Sequence, residues 1–574
     1  MKTMKRLAGC LLALCLLLAL APRAQAAGTV RVSRSTSEVY VNDQKVQIAG
    51  YNIGGNNYYR LRDLAAALAG TASRFDVGWN QRSKRVELTR GTDYTGGAET
   101  ARPAASADAL PSPAELVIDG RRTDAAAYNI GGSNYYRLRD LGEALSFAVT
   151  WVQASDSVCV YTGVGDGLRL LEGGGGAAMR TMNRGKSTQR WSETCVSYLY
   201  GGGGTYTVVD ASGAKTVTAD TYDGGTWALT GSRQIPMELD LFGGFFAGEQ
   251  YNYMVFGSNN VEENDRREVL RVVKYDKDFN RLASVSVTGG ECGATKPFDA
   301  GTTRMCERGG ELVIHSSREQ YASADGIHHE SQLTLVVDTE RMAVKNQLGQ
   351  FQGNHVSHSF NQFAQYDGEN HVLVDHGDGY PRSIVLNRYA GGTYTAVDLF
   401  EIPGAVGANC TGVTLGGFEV SGGNYLVAIN TVDHSKVRSY DSYELQGLEL
   451  DERDVVLLVS GKGNTSAAGV SRIALTGYIG QGKLGSTPYL VKLGQDRFLV
   501  LWEEFDYGQS GSSYNVADNG VRCVQVDGGG RPLGEVRALP FARLSYDCQP
   551  VYLDGAVSWY VNAMGGRLLY SVSP

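Results

Sequence analysis

From about residue 191 to the C-terminus the chain is written in groups of four short apolar runs, each alternating and each closed by a turn. One group begins at Phe360 with FNQFAQYDG, HVLVDHGD, RSIVLNRYAGG and YTAVDLFEI, and another at Tyr489 with YLVKLGQD, RFLVLWEEFD, VRCVQVDGGG and LGEVRAL. Looser groups lie around 195–220, 237–287, 304–344 and 417–475. Period-two alternation between turn residues predicts strands, and no run here has the 3.6-residue period of a long amphipathic helix. Four-stranded units recurring every ~40 to 60 residues predict sheets set around a central axis, a β-propeller. Six groups are complete, and the final stretch from Pro550, PVYLDGAVSWYVNAMGGRLLYSVSP, supplies three further strands. A fourth strand for that last group is expected from the segment before Trp191, because closing the ring from both termini removes exposed edges. Seven blades is the expected number, with six or eight as alternatives.

Ahead of this β region one segment occurs twice. YNIGGNNYYRLRDLAAAL from Tyr51 returns as YNIGGSNYYRLRDLGEAL from Tyr128, an offset of 77 residues. Each copy is preceded by a hairpin whose turn, Asn42-Asp43 or Asp119-Gly120, suits the positive φ that tight hairpins need. Each is followed by a short helix, at 61–68 or 138–145, and by strands carrying Trp79 or Trp151. The pattern predicts two small, separate α+β units. Arg62 with Asp63, and Arg139 with Asp140, read as helix-start residues, an early aspartate and a solvated arginine, rather than as catalytic groups.

The motif Y-N-I-G-G-x-N-Y-Y-R-L-R-D-L over about residues 36–163 resembles the stalk domain family, named from the N-terminal domain of copper amine oxidases. That resemblance implies a spacer or cell-envelope module without catalysis. It does not extend to the oxidase: the chain has no Asn-Tyr-Asp or Asn-Tyr-Glu triplet, and no histidine precedes His315.

Composition bounds compartment and partner. Residues 1–26 run from a basic start through an apolar core to Ala24 and Ala26 in an A-x-A pattern, the form of a secretory signal peptide. Cys10 stands mostly ahead of the apolar core, the wrong place for lipidation. Removing this segment takes away Lys2, Lys5, Arg6 and Arg23 and moves the formal net charge from −8 to −12. A dispersed acidic balance argues against nucleic acid as partner. No later segment is apolar enough to span a membrane, so a secreted, envelope-associated protein is expected. The seven cysteines beyond residue 26 are scattered with no C-x-x-C; buried free thiols are expected, with Cys292–Cys306 the pair that could bridge. The expected divisions are 1–26 signal peptide, 27–95 first repeat, 96–114 Ala/Pro/Ser-rich linker and 115–163 second repeat. A Gly-rich linker with a possible ring-closing strand follows at 164–190, and the propeller at 191–574.

Chemistry concentrates in one stretch, HVSHSFNQFAQYDGENHVLVDHGDGYPRS from His355. In an up-and-down blade, the entering loop and the loop after the second strand share a face. His355 and His358 fall in the first and His376, Asp378 and Tyr380 in the second. Equivalent positions in neighbouring groups hold His315 and Arg318, His434, and Glu503. These nine residues form the candidate ligand face. Arg318 is expected to grip a ligand carboxylate, and the histidines with Tyr380 to offer hydrogen bonds and a platform for a sugar.

Other readings of the stretch are a ring of hydrogen bonds bracing loops and a transition-metal site. The three-residue spacing of His355 and His358 suits one strand face poorly for a metal. DKDFNR from Asp276 lacks the glycine and final glutamate of a calcium loop. TYDGGTW is a degenerate Asp-box, and neither GGGG run has the lysine of a phosphate loop. No cofactor motif appears. A ligand-binding propeller for glycan, cell-wall or protein ligands displayed on a stalk is the expected function. The alternative is an extracellular propeller hydrolase or lyase acting on glycan or peptide through the His/Asp cluster.

Overall fold

The computed structural model describes residues 28–97, 103–165, 167–174, 193–510 and 513–574; the expected signal peptide lies outside them. The chain divides into two compact units, residues 1–163 and 164–574.

In the first unit the strands are β1 (Val30–Arg34), β2 (Glu38–Val41), β3 (Gln44–Val46), β4 (Gly50–Ile53), β5 (Asn56–Arg60), β6 (Phe75–Asn80) and β7 (Arg85–Arg90) from the first copy. From the second come β8 (Ser106–Pro111), β9 (Glu115–Ile118), β10 (Arg121–Thr123), β11 (Ala127–Ile130), β12 (Ser133–Arg137), β13 (Phe147–Val152) and β14 (Ser157–Thr162). Helices α1 (Leu61–Ala67) and α2 (Leu138–Leu145) follow β5 and β12. Asn42, Asp43, Asp119 and Gly120 all have positive φ, as the hairpins require.

The copies interlock. A closed barrel runs β1-β4-β5-β12-β11-β8, and the two flanking sheets, β10-β9-β7-β6 and β13-β14-β2-β3, each take strands from both copies. The tyrosines of the motif explain this. Tyr51 meets Tyr135 edge-on at 5.5 Å and Tyr58 meets Tyr128 at 5.3 Å. The 77-residue offset carries one contact onto the other, so a single packing solution is used twice. Two expectations are corrected here. The copies are not separate units, since each supplies half of every sheet. The expected linker 96–114 contains β8, which bonds to β1 on one side and β11 on the other; alternating Ala107 and Ala109 face the barrel interior, too small to register as an apolar run. The aspartates at the helix starts pair with Arg60 and Arg137, at 2.6 Å and 2.5 Å, and Arg62 and Arg139 are exposed.

The second unit is nearly all β. Among the described residues it holds seven sheets of four or five strands and one two-stranded ribbon. Most are sequential meanders. One contains Ala294–Pro297, Arg304–Arg308, Glu311–Ala322, His328–Asp338 and Ala343–Val344, and the next Gln362–Asp367, Asn370–Asp378, Arg382–Ala390 and Thr393–Glu401. The last combines Val551–Leu553, Ala556–Ala563 and Gly566–Val572 with β15 (Leu168–Leu171), which lies antiparallel to Gly566–Val572. Trp559, Leu569 and Tyr570 of this sheet share a core with Leu199, Val208 and Tyr222 of the first sheet, made of Ser197–Gly202, Thr205–Asp210, Thr216–Asp223 and Leu229–Pro236. Buried Arg567 reaches across to Asp220 at 2.5 Å and the Tyr222 hydroxyl at 2.8 Å. The succession of sheets therefore closes on itself, the architecture of a propeller-like fold.

The rhyming turns have one cause. Asp210, Asp276 and Asp527 each accept amides from the turn they begin, Ser212, Asp278 and Asn280, and Gly529 and Arg531 respectively. In TYDGGTW, Asp223 does the same for Gly225 and Thr226, and Trp227 stacks on Tyr206. All seven described cysteines are buried, and Cys292 and Cys306 are free thiols, not bridged to each other. No helix among the described residues is long and apolar enough to cross a membrane.

Candidate functional site

The segment His355–Phe360 is a strap between two sheets. Its Ser357 forms β-bridges to Ser331 on one side and Gly379 on the other. His358 N donates to the Glu330 carbonyl at 3.0 Å, and Phe360 N to the His376 carbonyl at 2.9 Å. This close approach needs Gly377: a Cβ there would lie 2.5 Å from Val356 Cγ1 and 2.9 Å from the Pro381 carbonyl oxygen.

The strap carries His358, at φ 47°, between two carboxylates. Nδ1 lies 2.7 Å from Asp378 Oδ1 and Nε2 2.7 Å from Glu330 Oε2. Burial is the largest single influence on this imidazole and lowers its pKa, but Asp378 and Glu330 together outweigh it and raise it to about 9. Asp299 lies within the field of Glu330 and Glu319. Burial first, then those two charges, lift its carboxyl to about 6, against the opposing pull of Lys296 and His358. Lys296 is held by Glu319 at 2.5 Å. Tyr380, at positive φ, is 71 % exposed beside this group in sequence. The cluster thus sets four carboxylates against two cations.

The other expected site residues are spent inside the fold. Three of the second strands do not end in polar loops but continue through the polar residues, as Glu311–Ala322, Asn370–Asp378 and Arg497–Ser510, whereas Asn424–Thr431 ends ahead of His434, which stands in a short 3-10 turn. His315 is fully buried, with Nδ1 on Thr334 Oγ1 at 2.9 Å and Nε2 on Asp375 Oδ1 at 3.0 Å. Arg318 is also fully buried and donates to the carbonyls of Cys292, Gly349 and Gln350. Burial pulls its guanidinium down to about 10, and the expected grip on a ligand carboxylate is corrected: its donors face backbone. His376 meets Thr411 Oγ1 at 2.9 Å and is pushed down by burial to about 3. His434, between Thr431 and Tyr440, is pushed down by burial to about 4. His355 packs edge-on against Phe351, with its pKa lowered by burial and by Arg318. Glu503, 1 % exposed, accepts the Leu544 amide at 2.8 Å.

His358 and Asp378 are thus brought together, while His315, His376 and His434 go to three separate internal networks. Sequence reasoning passed over Asp299, Glu330 and Lys296, which lie on other strands and loops with no local motif. The one available signal was alternation: His328 to Ser331 precedes an apolar run whose period continues back through the polar residues. Among the described residues no group of three or more His, Cys, Asp or Glu side chains is arranged to hold a metal ion.

No protein-family profile matches the chain, and no curated protein matches it. Solved structures do. A polysaccharide lyase, an ulvan lyase bound to a GlcA-Rha3S saccharide, aligns at 11 % identity and TM-score 0.38 over 69 % of this chain and 94 % of that one. The β-propeller domain of the Trilobed protease from Pyrococcus furiosus aligns at 11 % identity and TM-score 0.35, over 65 % of this chain and 95 % of that one. The acylaminoacyl peptidase of Pyrococcus horikoshii aligns at 9 % identity and TM-score 0.33, over 68 % of this chain and 54 % of that one.

Proposed function

We propose that this is a secreted, envelope-associated protein in which a seven-bladed propeller binds a ligand and the stalk-like repeat pair displays it. The ligand site of this reading is the face around Asp299, Glu330, His358, Asp378 and Tyr380. The observation that carries it is the clamping of His358 by Glu330 and Asp378. An imidazolium with both nitrogens engaged by carboxylates is a fixed charge at neutral pH and a poor general base. His376 and His434 are held neutral, and His315 is sealed from solvent. What the face offers is acceptors, the carboxylate oxygens of Asp299 and Glu330, with the exposed Tyr380 two residues beyond Asp378 in sequence. That chemistry suits a ligand rich in hydrogen-bond donors, a polyhydroxylated glycan or an amine-bearing cell-wall polymer, in place of the carboxylate ligand expected from Arg318.

A second reading, an extracellular propeller hydrolase or lyase, is favoured by Asp299. A carboxyl with a pKa of about 6 is poised to give and take a proton near neutrality. The test is a glycan and cell-wall binding screen of the full chain, with Glu330→Gln and Tyr380→Ala alongside. Binding that both changes weaken supports the ligand face. Turnover of a bound polymer that Asp299→Asn abolishes while affinity persists supports the enzyme.

A further inference from the structure

Two cavities of the repeat pair are one cavity built twice. The first, of about 560 Å³, is bounded by Asn52, Asn57, Arg139, Trp151 and Asp156 among others. The second, of about 420 Å³, is bounded by Asn129, Asn134, Arg62 and Trp79 among others. The 77-residue offset turns Asn52 and Asn57 into Asn129 and Asn134, and Arg62 into Arg139. Trp79 and Trp151 hold matching places on β6 and β13. Each cavity therefore takes its asparagines from one copy and its arginine and tryptophan from the other.

The side chains are set in place by the same local bonds in both. Asn52 Nδ2 donates to Asn57 Oδ1 at 3.3 Å, and Asn129 Nδ2 to Asn134 Oδ1 at 3.3 Å. Asn52 Oδ1 accepts the Gly55 amide and Asn129 Oδ1 the Gly132 amide. Trp151 is 53 % exposed and Trp79 45 %, although tryptophan ordinarily buries most of its surface. The Trp79 indole N–H is anchored on Gln81 at 2.7 Å, and that of Trp151 points to Asp156 at 3.4 Å. Lining the first cavity is Tyr59, only 2 % exposed, with its hydroxyl beside Ser35. Tyr136, its counterpart in the second copy, is also buried, and its hydroxyl has no hydrogen-bond partner.

We propose that the repeat pair is itself a bivalent saccharide-binding module that takes two acidic sugar units of one polysaccharide. In each cavity the indole supplies an apolar platform for a pyranose face. The paired asparagine amides supply donors and acceptors for its hydroxyls. The exposed Arg62 or Arg139 supplies the partner for a sugar carboxylate. Two sites on one rigid barrel make the second contact intramolecular, which favours a polymer over a single sugar. This assignment is independent of the propeller face and gives the stalk a task beyond spacing.

The test is affinity gel electrophoresis of the full chain in gels cast with polygalacturonate, alginate or hyaluronan. Fully methyl-esterified polygalacturonate serves as the neutral control and polyglutamate as the acidic peptide control. The expected result is retardation by at least one acidic polysaccharide and none by polyglutamate. Trp79→Ala and Trp151→Ala should each weaken it about tenfold, and the double variant on the order of 100-fold. Arg62→Ala with Arg139→Ala should narrow the gap between acid and ester. Because all four side chains are exposed, circular dichroism and the unfolding midpoint should stay unchanged. Retardation by polyglutamate, no retardation by any acidic polysaccharide, or retardation lost in Glu330→Gln but kept in the double tryptophan variant would overturn the proposal; the last outcome would leave the propeller reading intact.

Discussion

His358 Nδ1 and Asp378 Oδ1 lie 2.7 Å apart, and Asp378 is fully buried while the imidazole edge is 16 % exposed. The pair is closed on its other side by Glu330. A strap residue is thus pinned to one sheet through Asp378 and to the preceding sheet through Glu330, and its charge does the pinning.

That charge gives a pH signature. The folded pKa of His358, about 9, stands above its ordinary value of 6.5. Its stabilising contribution is therefore complete below about pH 6.5 and is lost as pH rises through about 9. The loss is on the order of 3 kcal/mol. Unfolding midpoints measured from pH 6 to 10 should fall for the native chain, and His358→Gln should flatten that slope. A parallel decline in both would refute the assignment.

Arg318 should behave as a structural residue. Replacing it with alanine strips donors from the carbonyls of Cys292, Gly349 and Gln350 and should cost roughly 3 to 5 kcal/mol in urea unfolding. Whatever ligand the intact protein binds should keep its affinity for the fraction that remains folded.

Gly377→Ala should destabilise by about 1 to 3 kcal/mol, since the new methyl collides with Val356. Val356→Ala in the same chain should recover part of that loss. A double-mutant cycle with no coupling would mean that the strap packs elsewhere.

The amides of β8, from Ser106 to Leu110, should exchange hydrogen as slowly as those of its barrel partners β1 and β11. Fast exchange over this stretch would restore the flexible linker that its composition suggests.

Deleting β15 should expose the edge of Gly566–Val572. The truncated chain should aggregate at concentrations where the full chain remains dispersed, as read by light scattering.

The strand groups and their turns could be read because alternation and turn residues act locally. The hairpin at Asn42-Asp43 and the helix at Leu61 follow the same logic. The site could be read only in part. His358 and Asp378 announced themselves as polar residues before the first strand and at the end of the second strand of one group, but Glu330 and Asp299 come from the neighbouring sheet, and only the folded register brings them in. Arg318 and Glu503 misled because a polar residue at the end of an apolar run reads as a loop, whereas in these long strands it is buried and bonded to the backbone of neighbouring connections. The interlocking of the repeats was invisible for a related reason: Tyr51 names no partner until Tyr135 is placed opposite it.

In the N-terminal unit, β2 lies parallel to β14 and β7 parallel to β9, so each copy finishes its sheets with strands of the other. A chain bearing only one copy would leave two half-sheets and half a barrel open, and could satisfy them only by meeting a second chain of the same kind. The duplication is thus a symmetric dimer made covalent. Its assembly no longer depends on concentration, and its twofold axis is written into the sequence as an offset of 77 residues.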